Sequence, residues 1–181
     1  MHNAITEACV LSYRRLKNLR RVGLELQMPW QTVYARLRAA GVAVTGDKTT
    51  YGCRNDRLGA KAEAEFKRLV PHAEDLNALK FQAPIDFHVG PLKIDVKASE
   101  LHAYTPTGKA SRWAFCIRRQ QFCADFLVCF AYAAGEYRVL LIPGELVRNY
   151  QSFTLSPRVR SKWWDYEVRP AELTEFFGAK A

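Results

Sequence analysis

The stretch "PIDFHVGPLKIDVKAS", Pro84 to Ser99, leaves the backbone few choices. Ile85, Phe87 and Val89 alternate with polar residues, and the alternation resumes at Leu92, Ile94 and Val96 beyond Gly90-Pro91. Period two reads as strand, and the Gly-Pro pair reads as the two-residue tip of a hairpin. With Val89 opposite Leu92, paired positions sum to 181, which sets Phe87 against Ile94 and Ile85 against Val96 on one face. A slip of one residue would turn this whole apolar set outward, so the pattern also fixes the register.

The same register puts His88 against Lys93 and Asp86 directly across from Asp95, with Lys97 two residues on. Two opposed carboxylates repel, which weakens the pair or raises one pKa. A divalent cation between them reverses the sign. Hard oxygen ligands suit Mg²⁺ or Mn²⁺, and the ammonium of Lys97 is suited to positioning or deprotonating a water. The alternative is a solvent-facing hairpin edge on which Asp86 and Asp95 simply pair with Lys93 and Lys97.

Charge points to a class of partner. Lys and Arg number 27 against 18 Asp and Glu, a net charge of +9, a balance that attracts polyanions, nucleic acid first. Residues 1–57 carry ten basic and four acidic side chains, and 58–181 carry seventeen and fourteen, so most of the surplus lies in the first third. The 181 residues, 49% of them hydrophobic, can bury a core unaided. No apolar run is long enough to span a membrane, and "MHNAITEACV" lacks the pattern of a signal peptide, so an intracellular (cytoplasmic) protein without membrane contact is expected. The five cysteines, an odd count without a CxxC pair, read as reduced, partly buried thiols filling the core. The four histidines are scattered and read as structural or solvated.

Periodicity divides the chain. Leu19, Val22, Leu24 and Leu26 precede a break at Met28-Pro29; Val33, Leu37 and Ala40 then recur at helical spacing and Gly41 supplies a stop. Helix, tight turn, helix resembles a helix-turn-helix unit, whose second helix enters the major groove of double-stranded DNA. On that reading Gln31, Thr32, Tyr34, Arg36 and Arg38 lie on the outer face of the second helix, and basic residues including Arg20 and Arg21 reach phosphates. A plain αα-hairpin with a solvated basic face is the alternative. The segment "TGDKTTYGCRNDRLG" has no apolar period and reads as a linker. A helix is expected over about 59–73, with Ala62, Phe66, Leu69 and Val70 in one stripe. After the hairpin come a polar loop, strands at "RWAFCIR", "DFLVCFAY" and "YRVLLIP", the last two joined across Ala134-Gly135, then a final strand and a short helix near Pro170. The expected class is α/β, one mixed sheet flanked by helices, divided as a helical unit over 1–44, a linker over 45–58 and a main domain over 59–181.

Pro84 and Asp86, followed after eight residues by Asp95-Val96-Lys97, resemble the PD-(D/E)xK nuclease superfamily, and a helix with Glu63 and Glu65 stands before the hairpin as in that superfamily. The resemblance covers roughly residues 58–145, from Gly59 to Ile142-Pro143, and intron-associated homing endonucleases look nearest in size. It implies a restriction-endonuclease-like fold and metal-dependent hydrolysis of phosphodiesters. Asp86, Asp95 and the Val96 carbonyl would bind Mg²⁺, with Glu63 contributing directly or through water, while Lys97 serves the attacking water. Glu63 is preferred over Glu65 because it falls at the edge of the apolar stripe beside Val70. Arg118 and Gln121, after the strand "RWAFCI", would touch the DNA backbone. Cutting two strands implies a homodimer. A DNA-binding regulatory protein on an inactive nuclease fold, and a Holliday-junction resolvase, are the competing readings.

Overall fold

A computed structural model describes residues 2–44, 52–77, 84–102, 111–117 and 122–178. The chain divides into two compact units, residues 1–57 with 77–83, and residues 58–76 with 84–181.

The first unit contains α1 (His2–Leu16), α2 (Leu19–Glu25) and α3 (Trp30–Ala39). Cys9 and Tyr13 of α1, Val22 of α2, and Val33 and Leu37 of α3 are its buried core, with Leu19 and Leu26 packed against them. Asn18 caps α2, its side-chain oxygen accepting the Arg21 N–H at 3.1 Å, and Gly41 follows α3 at φ +70°. The approach of α2 to the turn before α3 is tight enough that a Cβ on Gly23 would sit 2.6 Å from the Met28 carbonyl oxygen, so that position needs glycine. Leu24, counted by its spacing with the apolar set, is instead 81% exposed. Helix α1 had no counterpart in the sequence reading.

Helix α4 (Arg54–Leu69) begins five residues before Gly59, so residues 54–58 are helical rather than linker. Asp56 in its first turn accepts the Cys53 N–H at 3.0 Å, the side-chain half of a capping box, and this local bond starts the helix without any apolar signal. Residues 45–51 of the expected linker lie outside the described residues.

The second unit is α/β. Its main sheet has the order β1-β2-β3-β5-β6-β8: β1 (Glu74–Asp75), β2 (Phe87–Val89), β3 (Leu92–Glu100), β5 (Phe126–Ala133), β6 (Glu136–Pro143) and β8 (Glu167–Val168). Strands β3 and β5 run parallel and all other neighbours antiparallel, so the sheet is mixed, as expected. A separate ribbon pairs β4 (Trp113–Cys116) with β7 (Ser152–Leu155). Helix α5 (Gly144–Val147), a 3-10 turn (Lys162–Tyr166) and α6 (Pro170–Gly178) complete the described elements.

Both faces of the sheet are covered. On one, Ala62, Phe66 and Leu69 of α4, Val70 just after it, and Leu173 and Phe177 of α6 pack over Phe87, Ile94, Val96, Val128 and Phe130. On the other, Trp113, Phe115, Phe153 and Leu155 of the ribbon, with Trp163, cover Leu127, Cys129, Leu140 and Ile142. Burial on both sides explains why "FLVCFAYA" is apolar throughout. Of the cysteines expected in the core, only Cys9 and Cys129 are buried; Cys53, Cys116 and Cys123 are exposed, Cys116 because alternate residues of β4 face away from the sheet. No described helix is long and apolar enough to cross a membrane.

Candidate active site

The hairpin forms with the expected register: Val89 opposite Leu92, His88 opposite Lys93 and Phe87 opposite Ile94. Gly90 takes φ +55°, a conformation that suits glycine at the tip. The ladder ends there, however, and the expected pairings of Asp86 with Asp95 and of Ile85 with Val96 do not form. The Asp86 N–H donates to the Ile94 carbonyl at 3.0 Å, and the Asp86 carbonyl accepts from Leu76 N–H at 3.0 Å. The Asp86 Oδ2 instead accepts the Val96 N–H at 2.7 Å. Direct opposition of two carboxylates is unfavourable; leaving the ladder gives Asp86 a main-chain donor and gives Val96 an acceptor.

Asp95 does not face solvent, and Lys97 is only partly exposed. They pair with Leu127 and Cys129 on the parallel neighbour β5, and paired residues share a face, here the face covered by the β4–β7 ribbon. Asp95 is only 7% exposed. Lys97 donates from Nζ to Asp95 Oδ1 at 2.5 Å and lies 3.4 Å from the Val96 carbonyl oxygen. Ser99, next on the same face and buried, accepts the Ala114 N–H at 2.9 Å and so ties β4 to β3.

Burial pushes the Asp95 carboxyl up to about 7; the Lys97 charge pulls it back, and the nearby Asp86 carboxylate adds to the rise. Burial alone would lower Lys97, but the negative charges of Asp95 and Asp86 outweigh it, and the lysine is held above its ordinary value. The Cys129 thiol alongside is pushed well up by burial and stays protonated. Asp86, Asp95 and Lys97 therefore act on one another's charges in a setting where burying charge is costly.

The donor set fits a hard divalent cation. Asp86 and Asp95 offer carboxylate oxygens and Val96 a carbonyl, and Mg²⁺ commonly takes one or two carboxylates while keeping several waters. Among the described residues no group of three His, Cys, Asp or Glu side chains is gathered as metal ligands. Glu63 is half-buried, on the opposite edge of the α4 apolar stripe from Glu65. Glu65 is engaged elsewhere: Arg68 donates to it at 2.7 Å and the Tyr137 hydroxyl at 2.5 Å, and the Arg68 bond holds its carboxyl below the usual range.

Of the residues expected at DNA, Gln31, Thr32, Tyr34 and Arg38 are exposed on α3, as are Arg20 and Arg21 on α2. Arg38 donates to the Tyr34 hydroxyl at 3.3 Å. Arg36 turns back into the helical unit, half-buried, with an amino group 3.3 Å from Thr6 Oγ1 and its Nε buried without a hydrogen-bond partner among the described residues. Arg118 and Gln121 lie outside the described residues. The sequence reading missed Ser99, although it continues the period-two row of Asp95 and Lys97, and Asp125, whose Oδ2 accepts the Lys93 N–H at 2.8 Å.

No family model matches the chain, and no curated protein matches it in sequence. Among solved structures, the bacterial homing endonuclease I-Ssp6803I is similar with a TM-score of 0.46 at 18% identity, over 68% of this chain and 91% of that one.

Proposed function

We propose that this protein is a metal-dependent DNA endonuclease of the PD-(D/E)xK type, working as a homodimer on double-stranded DNA, with the N-terminal helical unit acting as a helix-turn-helix arm. One observation carries the reading: Asp86, just before β2, and the buried Asp95 of β3 lie close enough for their charges to act on each other, beside Lys97 and the Val96 carbonyl. A structural ion pair needs one acid and one base; a second acid at the same place suits a cation.

Asp86 and Asp95, with the Val96 carbonyl, would hold Mg²⁺ or Mn²⁺, and Glu63 would reach it directly or through water. When bound, such an ion supplies positive charge to phosphoryl oxygens and lowers the pKa of a coordinated water. Lys97 stays protonated against Asp95 and Asp86; its ammonium orients the attacking water and offsets the charge that builds on the phosphate. The Val96 N–H fixes the Asp86 carboxylate, so that this ligand is held before substrate arrives. Gln31, Thr32, Tyr34 and Arg38 would meet the duplex, and Arg20 and Arg21 its phosphates.

A second reading, a DNA-binding protein on a catalytically inert scaffold, draws on the missing third acid among the described residues. Lys97→Met separates the two. Loss of metal-dependent cleavage with DNA binding retained supports the endonuclease; cleavage undiminished in the variant overturns the role given to Lys97, and binding without cleavage by the unmodified protein at any divalent metal supports the inert scaffold.

A further inference from the structure

Residues 146–164 contain four cations, Arg148, Arg158, Arg160 and Lys162, and no acid. They carry the whole positive surplus of residues 58–181: of seventeen basic and fourteen acidic side chains there, thirteen basic remain against fourteen acidic without them. The four flank strand β7 and are exposed. Lys162 is fixed rather than free to sweep: its Nζ donates to the Tyr150 hydroxyl at 2.9 Å and sits 4.5 Å from the centre of the Trp163 ring, which joins the segment after β7 to the residue pair before it. Among the described residues no acid pairs with Arg148, Arg158 or Lys162; Arg160 reaches Asp165 at 3.1 Å in an exposed pair, which is weak. Tyr150 and Val159, 38% and 61% exposed, add aromatic and apolar surface between the charges.

The location of this surface decides its use. Strand β7 pairs with β4, and β4 is tied to β3 through Ser99, two residues beyond Lys97 on the same face. Phe153, Leu155 and Trp163 pack in the cluster that contains Leu127 and Cys129, the β5 partners of Asp95 and Lys97. The basic segment therefore borders the layer over the sheet face from which Asp95 and Lys97 project.

We propose that Arg148, Arg158, Arg160 and Lys162 form a second nucleic-acid surface, in the catalytic unit itself, that grips the phosphate backbone of the DNA to be cut independently of the N-terminal helices. This rests on the endonuclease reading for its biological sense, but not for its test. Phosphate contacts of this kind are sequence-independent and salt-sensitive.

The test is anisotropy of a labelled random-sequence duplex bound by the full chain in EDTA, across a NaCl series, comparing the unmodified protein with Arg158→Ser/Arg160→Ser and with the charge-matched control Arg68→Ser/Arg169→Ser. The expected result is a slope of log K against log salt that is smaller by about two for Arg158→Ser/Arg160→Ser and unchanged for the control. Equal slopes in both double variants, whether lowered or not, overturn the proposal. So does a variant that loses binding to phosphatidylserine vesicles while its DNA slope stays intact, which would make the surface a membrane contact. Because no metal is present, failure of the hydrolytic reading is seen separately, as absent cleavage by a protein whose slope still depends on Arg158 and Arg160.

Discussion

The carboxylate of Asp86 accepts the main-chain N–H of Val96 at 2.7 Å, so the strand that carries one acid of the candidate site anchors the other. The bond replaces a rung of the β2–β3 ladder that would have set Asp86 directly against Asp95. The two acids keep their electrostatic contact, and burial, with the Asp86 charge adding to it, raises the Asp95 pKa against the pull of Lys97.

This arrangement gives an unusual pH dependence to the metal-free protein. Asp95 has a folded pKa of about 7 against about 3.9 for an ordinary aspartate, so the folded state holds its proton more tightly than the unfolded chain. The stability associated with that proton is present at acid pH and is lost as pH rises through 7, the reverse of an ordinary salt-bridged aspartate. Thermal melting in EDTA should show a lower Tm at pH 8 than at pH 5.5. Asp95→Asn should flatten the difference and melt several degrees above the unmodified protein at pH 8, and Mn²⁺ should raise the Tm of the unmodified protein only. A Tm that climbs between pH 5.5 and 8 in EDTA would contradict this charge balance.

The two glutamates of α4 should part company. Glu65 is occupied by Arg68 and Tyr137, whereas Glu63 stands on the opposite flank of the helix. Glu63→Gln is expected to lower cleavage at least tenfold. Glu65→Gln should cut normally and lose about 1 kcal/mol of stability, measured by urea titration, as a partly buried charged hydrogen bond goes. The opposite pattern would move the accessory role to Glu65.

Arg36 and Arg38 are two residues apart and should behave differently. Arg36 is half-buried against Thr6, and Arg36→Ala should lower the melting temperature by removing packed side-chain stem and a hydrogen bond. Arg38→Ala, on the exposed side, should leave melting alone and weaken duplex binding about threefold to tenfold, read by anisotropy at low salt.

Gly59 lies within α4 with nothing within 4 Å of where a Cβ would project. Gly59→Ala should stabilise the protein by about 0.5–1 kcal/mol through helix propensity and leave cleavage unchanged. Destabilisation in urea would reveal a constraint that packing does not account for.

How far each part could be read from sequence follows from how local its cause is. The hairpin from Phe87 to Ile94 was legible because a two-residue tip and strict alternation leave one register. The ladder's end at Asp86 was not, since it depends on a side-chain bond across the hairpin and on β1 at the far edge. Alternation also misled: Asp95 and Lys97 read as a polar, solvent-facing row, yet the ribbon of β4 and β7 covers that face, burying Asp95 and leaving Lys97 only partly exposed. Strand β7 alternates over only four residues, the lower limit for a strand pattern, and was not anticipated. Helix α1 buries Cys9 and Tyr13 but exposes Leu11 and part of Ile5, so it shows no clean apolar stripe. The apolar row Ala62, Phe66, Leu69 and Val70 was clear, and the burial of all four in α4 and its end matches it.

The most direct measurement is cleavage of supercoiled plasmid at low salt by the unmodified protein and by Asp95→Asn, with Mg²⁺, Mn²⁺ or EDTA. The account predicts nicked or linear product with either metal, none in EDTA, and none from the variant although it folds and binds DNA. Cleavage that persists in EDTA, or that survives Asp95→Asn, would contradict the assignment of hydrolysis to Asp86, Asp95 and Lys97.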